Sequence, residues 1–305
     1  MAVRVGFAGT NWWAAQALGQ LAGAPDLELA LVLSQPDRPI GRGRKTGAPP
    51  VVALAAGLGL AVAQPERAAD ALPLLQQRGV EAVAVVAYGQ LVPRALLDAL
   101  PFVNLHPSAL PHWRGAAPIE RALMAGESRS AVAAMLLVEA LDAGPIAALE
   151  HFEIGPDEDA GAVYERALGL GLPPLARALA DAAGAALATV PQVGEATYAA
   201  KITAADRLLD PGRRARELHD RVRALSPEIG ARLSLDGAPF TIWRTRVHEL
   251  GLALGTLALD GDAVLLGCGA GALELCELQA PGGRRMPAAD WLRGLRGALP
   301  AATSA

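Results

Sequence analysis

An asparagine and a histidine stand two residues apart in the stretch "NLHPSALPHWRGAAPIE", residues 104–120. A short apolar run precedes them, which places Asn104 and His106 at the end of an expected strand. Side chains two positions apart on a strand point to the same face. An asparagine amide can donate a hydrogen bond to a carbonyl oxygen that gains negative charge, and a histidine can accept and return a proton near neutral pH. We therefore expect this pair to act on a carbonyl group.

A third group should orient the histidine or balance its charge, and Asp142 in "EALDAGPI" (139–146) is the candidate. It stands in a glycine-containing turn after an apolar strand. Ligands of open α/β sheets bind outside the carboxyl ends of the strands, and Asp142 can lie at that edge as well. Because no thiol is positioned beside them, Asn104, His106 and Asp142 suit attack by an external amine or water on a carbonyl carbon.

Other roles for the same residues stay open at this point. Asn104 and His106 could cap backbone groups of the following turn, and Asp142 could belong to an ordinary turn. Ser108 lacks the Gly-x-Ser-x-Gly context of a nucleophile elbow. His106 and His112 have no cysteine or carboxylate cluster beside them, so no metal site is predicted.

Alternating apolar and helical segments must position these groups. We expect strands at 3–9, 27–35, 61–65, 81–88, 102–106, 132–138 and 146–154, and helices at 12–22, 50–60, 68–78, 93–99, 116–126 and 157–188. The last helix should be interrupted at Pro173 and Pro174. The β-α-β order predicts an α/β fold with a Rossmann-like, mostly parallel sheet.

The pattern changes near residue 190. A linker rich in Pro, Gly and Thr is expected at 191–204, followed by a helix at 213–224 and short strands with Asp-Gly turns at 230–285. Regular short strands of this kind predict a small OB-like β-barrel. The chain should therefore consist of a catalytic α/β domain (1–190), the linker, and a C-terminal β-barrel domain (205–305).

Charge and composition limit the class of protein. The chain has 305 residues, 52% of them apolar, and a formal net charge of −4. Residues 1–200 carry 13 Lys and Arg against 19 Asp and Glu (net −6), whereas 201–305 carry 14 against 12 (net +2), which is compatible with a phosphate-facing surface. Cys268 and Cys276 are expected to be free thiols. No signal peptide or membrane span is predicted, so we expect a cytoplasmic location without membrane contact.

A basic loop follows the second strand. The segment "DRPIGRGRK" (37–45) carries four cations among glycines and a proline. Its Gly-x-Gly is not a dinucleotide-binding motif, because no helix begins within it. A multiply cationic loop beside the Asn-His strand suits the phosphates of an RNA end. The alternative is a solvated charged loop without a partner.

Several of these stretches together resemble one family. "NLHPSALPHWRGAAPIERAL" with the downstream "LDAGPI" is similar to the signature of the methionyl-tRNA formyltransferases, which are formyltetrahydrofolate-dependent formyltransferases. "FAGT" (7–10), "QPDRPIGRGRKTGAPPV" (35–51), "VVAYGQLVP" (85–93) and "TYAAKITAADRLLD" (197–210) extend the resemblance over nearly the whole chain.

The resemblance implies that the formyl group of 10-formyltetrahydrofolate moves to the α-amino group of methionine on initiator tRNA, without a metal and without an obligate protein partner. Asn104 would polarise the formyl carbonyl, and His106 would handle the amine proton and stabilise the tetrahedral intermediate. Asp142 would keep His106, or a bound water, correctly charged and placed. The folate-binding residues implied in this way are Val86, Tyr88, Gly89, Leu91, Ser108, Leu110, Pro111 and Val138. Those implied for tRNA are Arg38, Arg42, Arg44, Lys45 and Lys201.

The chain departs from the family pattern in two segments, "NWWAA" (11–15) and "SAVAAM" (130–135). These departures motivate a second hypothesis, formyl transfer to a small-molecule amine such as an amino sugar or a natural-product precursor. Hydrolysis of formyltetrahydrofolate and RNA binding by a chain without catalysis are two further alternatives.

Overall fold

The computed structural model describes residues 2–40, 45–295 and 297–303. Its strands are β1 Val3–Gly9, β2 Leu27–Leu33, β3 Arg38–Ile40, β4 Lys45–Gly47, β5 Val62–Ala63, β6 Ala82–Val86, β7 Phe102–His106, β8 Arg114–Gly115, β9 Arg129–Leu136, β10 Ile146–Glu153, β11 Tyr198–Ala199, β12 Ala231–Leu235, β13 Ala238–His248, β14 Leu257–Asp260, β15 Ala263–Gly267, β16 Ala272–Gln279, β17 Arg285–Pro287 and β18 Ala302–Thr303. Its α-helices are α1 Trp12–Leu21, α2 Pro50–Gly57, α3 Leu72–Gln77, α4 Arg94–Leu97, α5 Pro118–Met124, α6 Ala160–Ala183, α7 Ala215–Ala224 and α8 Ala288–Gly294, with 3₁₀ turns at Ala68–Ala71 and Ala205–Arg207.

Contacts divide the chain into two compact units. Unit 1 contains residues 1–114, 131–152 and 166–198, and unit 2 contains residues 115–130, 153–165 and 199–305. Neither unit is therefore continuous in sequence. Short segments from the first half of the chain, among them α5, pack within unit 2 instead of unit 1.

Unit 1 is built on a mixed sheet with the strand order β10-β9-β7-β6-β1-β2-β5. β1 pairs in parallel with β2 and β6, β6 pairs in parallel with β7, and β2 pairs in parallel with β5. β7 pairs antiparallel with β9. β6 (AVAVV) and β7 (FVNLH) are buried along their whole length, as non-alternating central strands require. The expected Rossmann-like parallel sheet is confirmed, with an antiparallel neighbour beside β7.

Unit 2 contains an antiparallel sheet in the order β14-β15-β16-β13-β12-β18, with β17 paired to β16. Asp236 and Gly237 form the two-residue turn between β12 and β13, both with positive φ (48° and 80°), as a type I′ hairpin needs. The Ala302 amide of β18 donates to the Gly255 carbonyl just before β14 at 2.8 Å, which joins the two edges of the sheet. This is the expected second, antiparallel β domain.

Helix α6 differs from the prediction. We expected an interruption at Pro173 and Pro174, but the helix runs without a break from Ala160 to Ala183. Each proline removes one N–H donor, while its fixed φ is itself helical, so the helix loses hydrogen bonds but continues through both prolines.

No helix among the described residues is long and apolar enough to cross a membrane.

Two glycines on α6 offer a matched test of how this helix packs on the sheet. A Cβ on Gly171 would lie 2.7 Å from a Leu105 methyl of β7 and 2.8 Å from a Val132 methyl of β9, whereas a Cβ on Gly169 would meet nothing within 4 Å. We expect Gly169→Ala to stabilise the chain by about 0.5–1 kcal/mol through helix propensity. Gly171→Ala should destabilise it, because overpacking costs about 1–3 kcal/mol. Urea unfolding checks both, and equal effects of the two changes would contradict the packing described.

Candidate active site

Asn104 and His106 lie at the carboxyl end of β7. Strand pairing sets Asn104 opposite Val85 of β6 and Met135 of β9, and His106 opposite Ala133. Both residues are buried, Asn104 being 8% and His106 4% exposed. Since they are two apart on the strand, their side chains leave the same face, as the spacing predicts.

Asp142 follows β9 and meets the histidine. Its Oδ2 lies 3.7 Å from His106 Nδ1, and both side chains are largely buried. Asp142 adopts a positive φ of 46°, which non-glycine residues other than Asn and Asp rarely tolerate. The structure therefore brings together the two ionisable groups that the sequence predicted to meet.

The other nitrogen of His106 is held by a backbone carbonyl. Nε2 lies 2.9 Å from the carbonyl oxygen of Trp113. A carbonyl oxygen only accepts, so Nε2 must carry the proton in this contact. The neutral ring then presents its lone pair at Nδ1, on the side of the Asp142 carboxylate. Nδ1 is thus the position that can take up a proton, and Asp142 is placed to stabilise the imidazolium that results.

The amide of Asn104 is available to a ligand. The described part of the chain forms no hydrogen bond to the Asn104 side chain. Two side-chain polar atoms of the described residues are fully buried without a partner, Ser34 Oγ and Tyr88 Oη, and the Asn104 amide is not among them. The amide therefore keeps contact with solvent. Its donor can serve a carbonyl oxygen bound next to His106.

The turn that carries Asp142 has little freedom at Gly144. A Cβ on Gly144 would lie 1.7 Å from the Leu136 carbonyl oxygen, so no side chain fits. The Leu136 amide donates to the Pro145 carbonyl at 3.0 Å and closes the turn onto the end of β9. Backbone packing thus fixes the path of the turn between β9 and β10.

The loop at 86–91, expected to bind folate, is tied down by its neighbours. The Tyr88 carbonyl accepts hydrogen bonds from Thr10 Oγ1 at 2.7 Å and from Gln35 Nε2 at 3.1 Å. The Tyr88 side chain packs in the core of unit 1, with its hydroxyl buried and unpartnered among the described residues. Gly89 has a φ of 76°, and a Cβ there would lie 2.2 Å from Gln35 Nε2. Leu91 is 79% exposed.

The remaining residues expected to bind folate have mixed surroundings. Val86 is fully buried in β6. Ser108 donates its hydroxyl to the His112 carbonyl at 2.6 Å. Leu110 is buried against a cluster that includes Met135, while Val138 is 40% exposed. Pro111, next in the chain, is buried.

The residues expected to contact tRNA are only partly described. Arg38 is exposed in β3 and lines a cavity of about 690 Å³ together with Arg67 and Leu91. Lys45 lies in β4, whereas Arg42 and Arg44 lie outside the described residues.

Lys201 belongs to unit 2 and is exposed. Its carbonyl accepts from Arg121 Nη2 at 3.2 Å. Arg121 also hydrogen-bonds the Asp206 carboxylate at 2.7 Å, which lowers the pKa of that carboxyl. This ion pair fixes the backbone that carries Lys201.

Within residues 2–40, 45–295 and 297–303, no cluster of three or more His, Cys, Asp or Glu side chains could hold a metal ion.

The sequence analysis did not predict the contact of His106 with the Trp113 carbonyl. Every residue has a backbone carbonyl, so the residue type at position 113 does not indicate this role.

Known proteins resemble this chain in sequence and fold. Residues 3–179 match the formyl transferase family, and residues 201–296 match the formyl transferase C-terminal domain. A methionyl-tRNA formyltransferase of Aromatoleum aromaticum is 40% identical over 298 residues, which cover 96% of this chain and 94% of the relative. One from Halorhodospira halophila is 41% identical over 303 residues and covers 97% of each chain.

Among solved structures, HypX from Aquifex aeolicus in complex with tetrahydrofolic acid has a TM-score of 0.70 at 16% identity and covers 96% of this chain and 47% of HypX. At that identity the likeness is one of fold.

The buried phenol of Tyr88 should make stability depend on pH. Burial raises the pKa of Tyr88 to about 12 from 10.0. Between these values the folded chain keeps a proton that the unfolded chain has lost, so stability falls as pH rises. We expect the free energy of unfolding to fall more steeply in the wild type than in Tyr88→Phe, by about 1.4 kcal/mol per pH unit. Denaturant unfolding from pH 9 to 11.5 measures this difference.

Tyr198, which is 64% exposed, provides the control for the alkaline titration. Tyr198→Phe should follow the wild-type pH curve. Parallel curves for the wild type and Tyr88→Phe would show that the phenol is not buried as described.

Proposed function

This chain is a member of the formyl transferase family, and we propose that it transfers the formyl group of 10-formyltetrahydrofolate to the α-amino group of methionine on initiator tRNA, a step that supports translation initiation. Relatives at about 40% identity over 96% of the chain are methionyl-tRNA formyltransferases, which favours this acceptor over a small-molecule amine. The family model of the C-terminal domain also matches residues 201–296.

The observation that carries the chemistry is the pairing of His106 Nδ1 with Asp142 at 3.7 Å, while Nε2 is engaged by Trp113. An attacking amine loses a proton as its nitrogen bonds to the formyl carbon. In our account Nδ1 takes this proton, and the carboxylate stabilises the imidazolium. The same proton then moves to N10 of the folate as the carbon–N10 bond breaks, so that the ring returns to its neutral form.

Asn104 supplies the second element of catalysis. The formyl oxygen gains negative charge in the tetrahedral intermediate, and a donor aimed at that oxygen lowers the barrier. One such donor is worth about 2.7–4 kcal/mol in comparable sites. The unpaired amide of Asn104, on the same face of β7 as His106, is our candidate for this donor.

We place the folate donor against the loops at 86–91, 107–111 and 138–142. The hydrogen-bonded Tyr88 carbonyl and the turn closed at Gly144 give this edge of the sheet a fixed backbone, which suits a rigid pterin. The exposed apolar side chains of Leu91 and Val138 offer surface for an apolar part of the ligand.

The tRNA contacts that we propose are Arg38, Arg42, Arg44, Lys45 and Lys201. Arg38 and Lys201 are exposed cations on the described surface, and Arg38 belongs to the same unit as the catalytic residues. Phosphate contacts of this kind supply affinity that weakens with salt and leave the chemical step unchanged.

Removal of each catalytic group should lower kcat with charged initiator tRNA and 10-formyltetrahydrofolate as substrates. We expect His106→Ala to lose about 10²–10⁴-fold, the scale of general acid–base catalysis. Asn104→Ala should lose about 10²–10³-fold. Asp142→Asn should also fall steeply, since the amide cannot stabilise an imidazolium.

His112→Ala is the matched control, because this neighbouring histidine is exposed. It should retain the wild-type rate. Turnover in His106→Ala equal to that of His112→Ala would refute the assignment, and an inactive wild type would refute the function.

Loss of a tRNA contact should change KM for tRNA rather than kcat. We expect Arg38→Ala and Lys201→Ala each to raise that KM, and to reduce the slope of log affinity against log salt by about 1. Arg94→Ala removes an exposed cation outside the proposed set and should change neither quantity. Kinetics over a salt series measure this, and the proposed tRNA contacts would be contradicted if Arg38→Ala and Lys201→Ala behaved like Arg94→Ala.

A further inference from the structure

The segment 190–197, which the sequence predicted to begin a linker, contacts the Asp142 turn and the Trp113 backbone that holds His106. Val190 exchanges two backbone hydrogen bonds with Ile146 at the start of β10, at 2.8 and 2.9 Å. The segment therefore begins beside the turn that carries Asp142. Its far end reaches the strand that follows Trp113.

The Gln192 side chain hydrogen-bonds the backbone of the Asp142 turn. Its Nε2 donates to the carbonyl oxygens of Asp142 at 2.9 Å and of Gly144 at 2.8 Å. Its Oε1 accepts from the Arg114 guanidinium, at 2.6 Å from Nη2 and 3.1 Å from Nε. Both amide protons and the amide oxygen are thus used.

These contacts require an amide at position 192. The carbonyls of Asp142 and Gly144 can only accept, and the Arg114 guanidinium can only donate. A rotated amide would set its oxygen against two carbonyls and its protons against a cation. A carboxylate of the same length would keep the arginine contact but lose both donors to the turn. The surroundings therefore select glutamine and fix its orientation.

Thr197 holds the histidine side of the pair. Its Oγ1 accepts from the Trp113 amide at 2.9 Å, and its carbonyl accepts from the Arg114 amide at 2.9 Å. The Trp113 carbonyl is the group that holds His106 Nε2. Trp113 itself has a φ of 60°, a conformation that side chains other than Asn and Asp rarely adopt and that neighbouring contacts must maintain.

The contacts close into a ring. It runs from His106 to Trp113, through Arg114 and Gln192 to Asp142, and back to His106 across the 3.7 Å gap. We propose that Gln192 and Thr197 are positioning residues that set the distance and orientation between the His106 ring and the Asp142 carboxylate. The expected effect on the rate rests on the proposed function. The hydrogen bonds that position the two side chains do not depend on it.

Gln192 and Thr197 thus act on the catalytic pair although neither touches a reacting atom. Misplacement of catalytic groups by about 1 Å costs about 10²-fold in rate. The loss should appear mainly in kcat, because the ring contacts the pair that moves the proton and meets the proposed folate surface only at the end of the 138–142 loop.

Four variants test the proposal in the full-length chain. Gln192→Glu removes the two donors and keeps the side-chain length. Thr197→Val removes the Oγ1 acceptor at nearly constant shape, and Thr197→Ser restores it. Val193→Ala, at an adjacent residue that is 86% exposed, is the control. Formylation of charged initiator tRNA gives kcat and both KM values, and thermal unfolding reports stability.

We expect Gln192→Glu and Thr197→Val to lower kcat about 10- to 100-fold, with both KM values within about twofold of wild type. Thr197→Ser and Val193→Ala should keep the wild-type kcat. Unchanged kcat in folded Gln192→Glu and Thr197→Val would overturn the proposal, as would a loss in Thr197→Ser equal to that in Thr197→Val.

A second readout does not depend on turnover. Nitrogen-15 NMR of the histidine rings should show His106 protonated at Nε2 in the wild type and in Thr197→Ser, and a mixture of tautomers in Thr197→Val. The same Nε2-protonated ring in Thr197→Val would overturn the positioning role. If the wild type did not formylate tRNA, the proposed function would fail, and this readout alone would decide the role of the segment.

Discussion

The site depends on the two different partners of the His106 ring. A backbone carbonyl occupies Nε2 at 2.9 Å, and a carboxylate faces Nδ1 at 3.7 Å. The first contact selects one neutral tautomer, and the second favours the charged ring once a proton arrives. A proton acceptor with one defined position follows from these two contacts, and the amine-to-formyl transfer that we propose needs such an acceptor.

The fold supplies the rigidity that this arrangement requires. β7 is buried between a parallel and an antiparallel neighbour, so that Asn104 and His106 leave the sheet from a backbone with no freedom to shift. The Asp142 turn is closed at Gly144, where no Cβ fits. Trp113 and Asp142 both have positive φ, and hydrogen bonds from Thr197 and Gln192 hold the backbone at these two residues. Backbone geometry, more than side-chain packing, therefore sets the site.

The sequence predicted the parts of this structure that depend on local pattern. Apolar runs located β1 and β7 at their observed bounds, and the strand-end rule predicted that Asp142 would approach His106. It could not predict the Trp113 carbonyl or Gln192, because such contacts join residues up to 78 positions apart and leave no periodic signal. The predicted interruption of α6 at its two prolines was wrong, because the helix continues through both although each lacks an N–H donor.

The two-partner arrangement of His106 is tested most directly by a crystal structure of the wild-type chain with 5-formyltetrahydrofolate, an inert isomer of the proposed donor. We expect the folate to lie at the carboxyl edge of β7, with a polar oxygen of the ligand about 2.7–3.1 Å from the Asn104 amide nitrogen. The N5–N10 region of the folate should lie beside His106 Nδ1 and the Asp142 carboxylate that faces it. A folate bound elsewhere, or a His106 ring turned so that Nε2 leaves the Trp113 carbonyl and faces the ligand, would contradict it.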